Sequence, residues 1–222
     1  MIVIKNLRAE VLGEPIFEKV NLVIHTGERV GMLGSRASDV TTFLRILAGE
    51  EDMDAGTVST EGERVLYVSS EMIQSTESMA KLHHSRPTML LLDVVDADAK
   101  GTEVIKQFMG SYRGGIIIAT NDTQLMLAAK VTRVIEIHAS TQAISSYTGN
   151  YTEYLVEREK NLARMNEAYD KQQKEKRRLE EWLAKKRLET MTDRSPEKGA
   201  TIRTKAKYLQ REILDKEIQK PD

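Results

Sequence analysis

Gly31-Met32-Leu33-Gly34-Ser35-Arg36-Ala37-Ser38-Asp39-Val40-Thr41-Thr42-Phe43-Leu44-Arg45-Ile46-Leu47-Ala48-Gly49 is the stretch that decides the fold. An apolar strand pattern runs into a short polar loop, and an apolar helix pattern then runs from Asp39 to Gly49. A phosphate-binding loop at this junction reads G-x-x-x-x-G-K-[ST]. Gly34 and Thr41 hold the ends of that spacing, but Asp39 stands for the second glycine and Val40 for the lysine. The loop remnant is therefore Gly34, Ser38, Asp39, Val40, Thr41 and Thr42. Val40 removes the cation that meets phosphate, and Asp39 adds a like charge. Two unit charges ~4 Å apart repel by about 4 kcal/mol at an effective dielectric near 20. Asp39 also sits where this reading starts the helix, so it is expected to be the N-cap, its carboxylate satisfying free N–H groups.

Outward from this loop the chain reads as an α/β domain. Residues 2–4 and 20–24 form a first sheet, and residues 28–34 form the strand that enters the loop. Strands follow at 57–59, 64–68, 89–93 and 115–120. Val134-Ile135-Glu136-Ile137-His138 and Ala143-Ile144-Ser145-Ser146-Tyr147 read as a closing hairpin. Short apolar runs such as Met89-Leu90-Leu91-Leu92 suit parallel strands covered on both faces.

The chain has 222 residues and no cysteine, which excludes disulfides and thiolate metal sites. No apolar run approaches the ~20 residues of a membrane span, and Met1 to Asn6 lacks the apolar core of a signal peptide. The expectation is a soluble cytoplasmic protein. Residues 1–150 carry 14 Lys and Arg against 19 Asp and Glu, whereas residues 151–222 carry 19 against 15. This asymmetry divides the chain into 1–150 and 151–222, with different partners for each.

The second part begins at Tyr151. Interface positions recur at Leu155, Leu162, Met165, Tyr169, Gln172, Lys176, Leu179 and Leu183, in steps of seven, three and four. This is a heptad seam interrupted by Gln172 and Lys176. The spacing predicts a helix over 152–189, a break over 190–199 marked by Pro196 and Gly199, and a second helix from Ala200. Ile202, Ala206, Leu209, Ile213 and Leu214 are available for its seam. An antiparallel coiled-coil hairpin is expected. Its tip gathers Lys185, Lys186, Arg187, Arg194, Lys198, Arg203, Lys205 and Lys207, a set that suits phosphate contacts or simple solvation. Trp182 and Tyr169 read as packing residues.

Four strings carry a family resemblance: Gly27-Glu28-Arg29-Val30-Gly31, Leu44-Arg45-Ile46-Leu47-Ala48-Gly49-Glu50, Ser85-Arg86-Pro87-Thr88-Met89-Leu90-Leu91-Leu92-Asp93, and Tyr147-Thr148-Gly149-Asn150-Tyr151-Thr152-Glu153-Tyr154-Leu155. Together they resemble an ATP-binding cassette of the ABC-F type, first cassette plus linker. The resemblance implies an ATPase whose linker reaches the ribosome and transfer RNA. It also implies a glutamate after the strand at 89–93, a histidine after the strand at 115–120 and a glutamine after the strand at 64–68. Those positions hold Val94, Asn121, and Ser69 or Ser70. Asp93 remains and could hold a metal, but no general base follows it. The helical insert with its L-S-G-G signature is missing, replaced by the short run from Met72 to His84. His83 and His84 read as surface or packing residues, and Asp96 and Asp98 as a solvated loop.

No catalytic residue and no metal site is assigned. No cofactor is expected, with ATP and Mg²⁺ only where the family function is retained. The leading reading is a catalytically inert protein that binds the ribosome or RNA through the hairpin, in translation or antibiotic resistance. Two alternatives stand beside it: a retained ATP-binding ATPase, and a coiled-coil interaction module that self-associates through the hairpin.

Overall fold

A computed structural model of the chain describes residues 1–73, 86–95, 97–192 and 196–214. His83, His84, Asp96 and Arg194 lie outside the described residues, as does most of the run from Met72 to His84. The described residues divide into two compact units, Met1–Leu155 and Val156–Asp222.

The described residues of the first unit form two sheets. Strands β1 (Ile2–Val11), β2 (Glu14–Ile24) and β4 (Ala55–Ser59) form an antiparallel sheet in the order β2-β1-β4. These strands are longer than their apolar kernels, because register shifts between Ile4 and Glu10 break the alternation that a sequence pattern detects. The second sheet runs β5 (Val65–Ser69), β6 (Met89–Asp93), β7 (Gly115–Ala119), β3 (Arg29–Gly34), β8 (Arg133–His138), β9 (Ala143–Thr148). Its strands are parallel except for β9, which pairs antiparallel with β8 as the expected hairpin.

Alternation across β6 and β7 explains their unbroken apolar runs. Met89, Leu91 and Ile117 enter one core with Phe17, Val40, Phe43 and Leu44. Leu90, Leu92, Ile116 and Ile118 enter the opposite core. That second core is covered by helices α2 (Ala99–Ser111) and α3 (Thr123–Ala129), which contribute Ile105, Phe108, Leu125 and Met126. Each such side chain contributes about 1.5–3 kcal/mol on burial.

Helix α1 (Ala37–Ala48) follows β3 and ends at Gly49, whose φ of 74° closes a left-handed cap with N–H groups of residues 49 and 50 on carbonyls 46 and 45.

Helix α4 (Tyr151–Thr192) has 42 residues, about 63 Å at ~1.5 Å per residue. Helix α5 (Pro196–Tyr208) continues into a π turn over Leu209–Leu214. The expected break at 190–199 is thus shorter than predicted. Pro196 opens α5 instead of preceding it, since proline is tolerated in a first turn where its missing N–H has no partner to lose. Leu183, Leu209 and Ile213 form a small core, with Leu179, Trp182, Ile202 and Ala206 packed on it. Among the described residues, no helix is long and apolar enough to cross a membrane.

Candidate functional site

The loop between β3 and α1 lies at the carboxyl end of a central parallel strand, the position where open α/β sheets bind ligands. Gly34 ends β3, and a Cβ built there would lie 2.6 Å from Val40 Cγ2. Glycine is needed because Val40 packs directly over it. Val40 is 2% exposed and belongs to the first core. The side chain at the lysine position therefore serves the interior of the domain.

The helix starts at Ala37, two residues earlier than its apolar pattern. Its N-cap is Arg36, in extended backbone with no side-chain bond to the first turn. This corrects the N-cap expectation for Asp39: Ala37 and Ser38 already have helical conformation, so Asp39 lies within the first turn. There its charge still suits the positive end of the helix dipole. The residue is 3% exposed. Its carboxylate accepts from Arg36 Nε at 3.2 Å and from Ser38 Oγ at 3.4 Å. Arg36 Nη1 also stands 3.8 Å from Glu14 Oε2 on β2. Thr41 and Thr42 are half-buried in α1.

Asp93 ends β6 and is 8% exposed. The Tyr67 hydroxyl donates to its Oδ2 at 3.0 Å. Burial, then the charge and hydrogen bond of Asp93, push the Tyr67 hydroxyl well above its ordinary range. Val94 is 1% exposed and lies in the second core, while its N–H donates to Ala119 O at 3.0 Å. Asn121 is exposed. Its neighbour Asp122 caps α3, accepting from Gln124 N at 2.7 Å. Asp98, expected in a solvated loop, is the N-cap of α2 and accepts from Gly101 N at 2.7 Å. Among the described residues, no group of three His, Asp or Glu could hold a metal.

This donor set does not fit a Mg²⁺-bound triphosphate. The lysine position is committed to the core, a carboxylate occupies the first turn, and the residue after Asp93 is an apolar core residue.

The segment before α4 is built around Gly149, whose φ is 137°. A Cβ there would stand 2.5 Å from Glu153 Oε2. The space serves a capping box: Asn150 N donates to Glu153 Oε2 at 3.1 Å, and Glu153 N to Asn150 Oδ1 at 3.0 Å. Tyr151 and Tyr154, buried in the second core, stack at 5.8 Å. Tyr147 meets Tyr154 edge-on at 5.2 Å.

In the second unit Lys185, Arg203, Lys205 and Lys207 are exposed and Lys186 is half-buried. Lys205 Nζ lies 4.1 Å over the Trp182 ring. The side chains of Arg187 and Lys198 are outside the described residues. Tyr208 donates to Glu175 at 3.2 Å. The pairs Glu175 with Tyr208 and Trp182 with Lys205 run in opposite order along α4 and α5.

A family profile described as ABC transporter matches residues 137–220. Probable ATP-binding protein YbiT of Escherichia coli O157:H7 is 20% identical over 195 residues, covering 64% of this chain and 36% of that protein. Ribosome protection protein VmlR of Bacillus subtilis strain 168 is 21% identical over 214 residues, covering 81% of this chain and 39% of that protein. The dimeric post-hydrolysis structure of the ATP-binding cassette MJ0796 bound to ADP and Pi aligns with a TM-score of 0.54 at 14% identity, over 67% of this chain and 98% of that one. The chain is homologous to YbiT and VmlR. It spans less than two-fifths of the length of either curated relative.

Two residues of this site carry roles that sequence alone did not assign. Arg36 holds Asp39, and its only sequence signal was an i, i+3 spacing within a loop. Tyr67 holds Asp93 across the β5–β6 pair. Its signal was the register that sets Ser69 opposite Asp93, with Tyr67 two residues back on the same face.

Proposed function

We propose that this ABC-F homologue is a catalytically inert cassette that binds the ribosome or its RNA through a coiled-coil hairpin. The match to a ribosome protection protein over 81% of the chain carries this reading. Residues 1–150 are the degenerate cassette and residues 151–222 the charged hairpin. The cassette's net acidity disfavours RNA, so RNA binding is assigned to the basic set Lys185, Lys186, Arg187, Arg194, Lys198, Arg203, Lys205 and Lys207. These cations meet phosphates of ribosomal or transfer RNA without reading sequence. The setting is the cytoplasm, in translation or antibiotic resistance.

Inertness follows from Val40, Asp39, Val94 and Asn121 taken together. Calorimetric titration with Mg-ATP is expected to give no saturable micromolar isotherm, and such an isotherm would restore the ATPase reading. Co-sedimentation with purified ribosomes across a salt series tests the partner. Neutralising Arg187, Arg194, Lys198 and Arg203 together is expected to weaken binding and flatten the slope of log affinity against log salt, by about 0.7–0.9 for each phosphate that the variant no longer neutralises. The interaction-module reading predicts unchanged binding by that variant and loss on Leu162→Asp or Leu179→Asp.

A further inference from the structure

The first turn of α1 presents two facts that inertness alone does not explain. A carboxylate is buried to 3% exposure at the point where the loop has lost its cation. The residue that caps the helix makes no side-chain bond to it, yet turns its guanidinium onto that carboxylate. A buried charge without a partner is costly, so a pair of this kind persists only where geometry holds it.

We propose that Asp39, clamped by Arg36, is a built-in substitute for phosphate that keeps the loop closed from within. The proposal rests on the reading of this site as inert and adds the device that lets the loop fold without ligand. Three side-chain interactions support it. Arg36 Nε meets Asp39 Oδ2 at 3.2 Å, and Ser38 Oγ meets Asp39 Oδ1 at 3.4 Å. The far side of the guanidinium reaches Glu14 at 3.8 Å, tying the loop to β2. The carboxylate thus receives what a phosphate takes from such a loop: a cation, a hydroxyl and the positive end of a helix. At the end of β6, separated from β3 by β7, Asp93 is answered in the same way by the Tyr67 hydroxyl at 3.0 Å. Both acids, the introduced Asp39 and the retained Asp93, are met by side chains of the chain itself. Val40, packed on Gly34, fixes the turn that brings Arg36 and Asp39 together.

Chemical rescue tests this. Asp39→Gly removes the carboxylate and leaves Arg36 and the first turn in place. Thermal midpoints are measured in inorganic phosphate and in chloride at matched ionic strength, with wild type reporting the general stabilising effect of phosphate. Asp39→Gly is expected to melt several degrees below wild type and to recover part of that loss in phosphate only, as mass action on a native-state ligand requires. Adding Arg36→Ala is expected to abolish the recovery. Equal responses to phosphate in wild type and Asp39→Gly, or no difference between phosphate and chloride in the variant, would overturn the proposal. Where Asp39→Gly does not fold, the cycle of Arg36→Ala, Asp39→Ala and the double variant decides. Coupled losses of denaturant midpoint uphold the clamp, and additive losses refute it. Neither arm uses nucleotide, so a wild-type isotherm with Mg-ATP would refute inertness separately.

Discussion

The sheet unit and the helical unit solve the burial problem at different scales. In the first, β6 and β7 feed two cores at once, and Leu90, Leu91, Ile116 and Ile117 are all fully buried. Among the described residues of the second, Leu183, Leu209 and Ile213 carry the packing of α4 against the π turn that follows α5. Met165 and Leu188 on the same long helix are 50% and 72% exposed. A domain with two cores draws residues such as Val40, in the first turn of α1, into its interior. A helix pair with one small cluster depends on capping, charge and register instead.

The largest expected effect attacks the better-packed unit. Phe43 is fully buried and meets Phe17 edge-on at 5.4 Å. Phe43→Ala is expected to cost the cassette about 3–5 kcal/mol. Leu183→Ala is expected to cost the helical unit about 2 kcal/mol, the low end for such a change, because its small cluster relaxes. Trp182 is the single tryptophan and lies in the helical unit, so its fluorescence follows that unit. Amide exchange in β6 and β7 follows the cassette. Phe43→Ala should shift the exchange and spare the Trp182 midpoint. Joint movement of both signals would mean that the units unfold as one and would end the contrast between them.

This contrast also marks what was legible in the sequence. Apolar runs named the parallel strands, because strands buried on both faces leave no alternation to blur. The start of α4 was placed near Tyr151 by the family string from Tyr147 to Leu155, while the capping box of Asn150 and Glu153 was not read from the sequence. The start of α1 was misplaced because no residue near Ala37 breaks a helix, and the apolar face begins only at Val40. Tyr67 and Arg36 were missed as site residues because their roles depend on strand register and on a loop's path. In the helical unit the seam positions Leu179 and Leu183 were legible, as was Ile213. The shortened break was not, since Pro196 serves equally before a helix and in its first turn.

An intermediate effect concerns acid. Glu63, in the β4–β5 loop, accepts hydrogen bonds from Thr26, Thr88 and the Met1 ammonium. Burial by itself raises its pKa, but these donors outweigh burial and hold the carboxyl at about 2, below its ordinary 4.5. Between those values the unfolded chain binds a proton that the folded one refuses. The contribution is therefore complete above about 4.5 and is lost as pH falls toward about 2. Urea midpoints of the cassette, followed by amide exchange from neutral pH downward, should fall through this window. Glu63→Gln should lower the neutral midpoint and flatten the acid limb. An acid limb unchanged by Glu63→Gln would assign the loss to other carboxylates.

The smallest expected effect separates two uses of one cation. Lys205 belongs to the proposed RNA-binding set, yet its Nζ lies 4.1 Å over the Trp182 ring. A cation–π interaction at an exposed site contributes about 0.5–1 kcal/mol. Lys205→Met should therefore lower the Trp182 midpoint slightly and shift the emission of that residue, whereas Lys207→Met should do neither. The order reverses for the partner. A cation held by an aromatic ring is less available to a phosphate, so Lys207→Met should weaken ribosome binding more than Lys205→Met at equal salt. If Lys205→Met instead gives the larger loss of binding with no change in Trp182 emission, the cation serves RNA and not the helix pair. The helix pair would then rest on its apolar cluster and on the Tyr208–Glu175 hydrogen bond without help from Lys205.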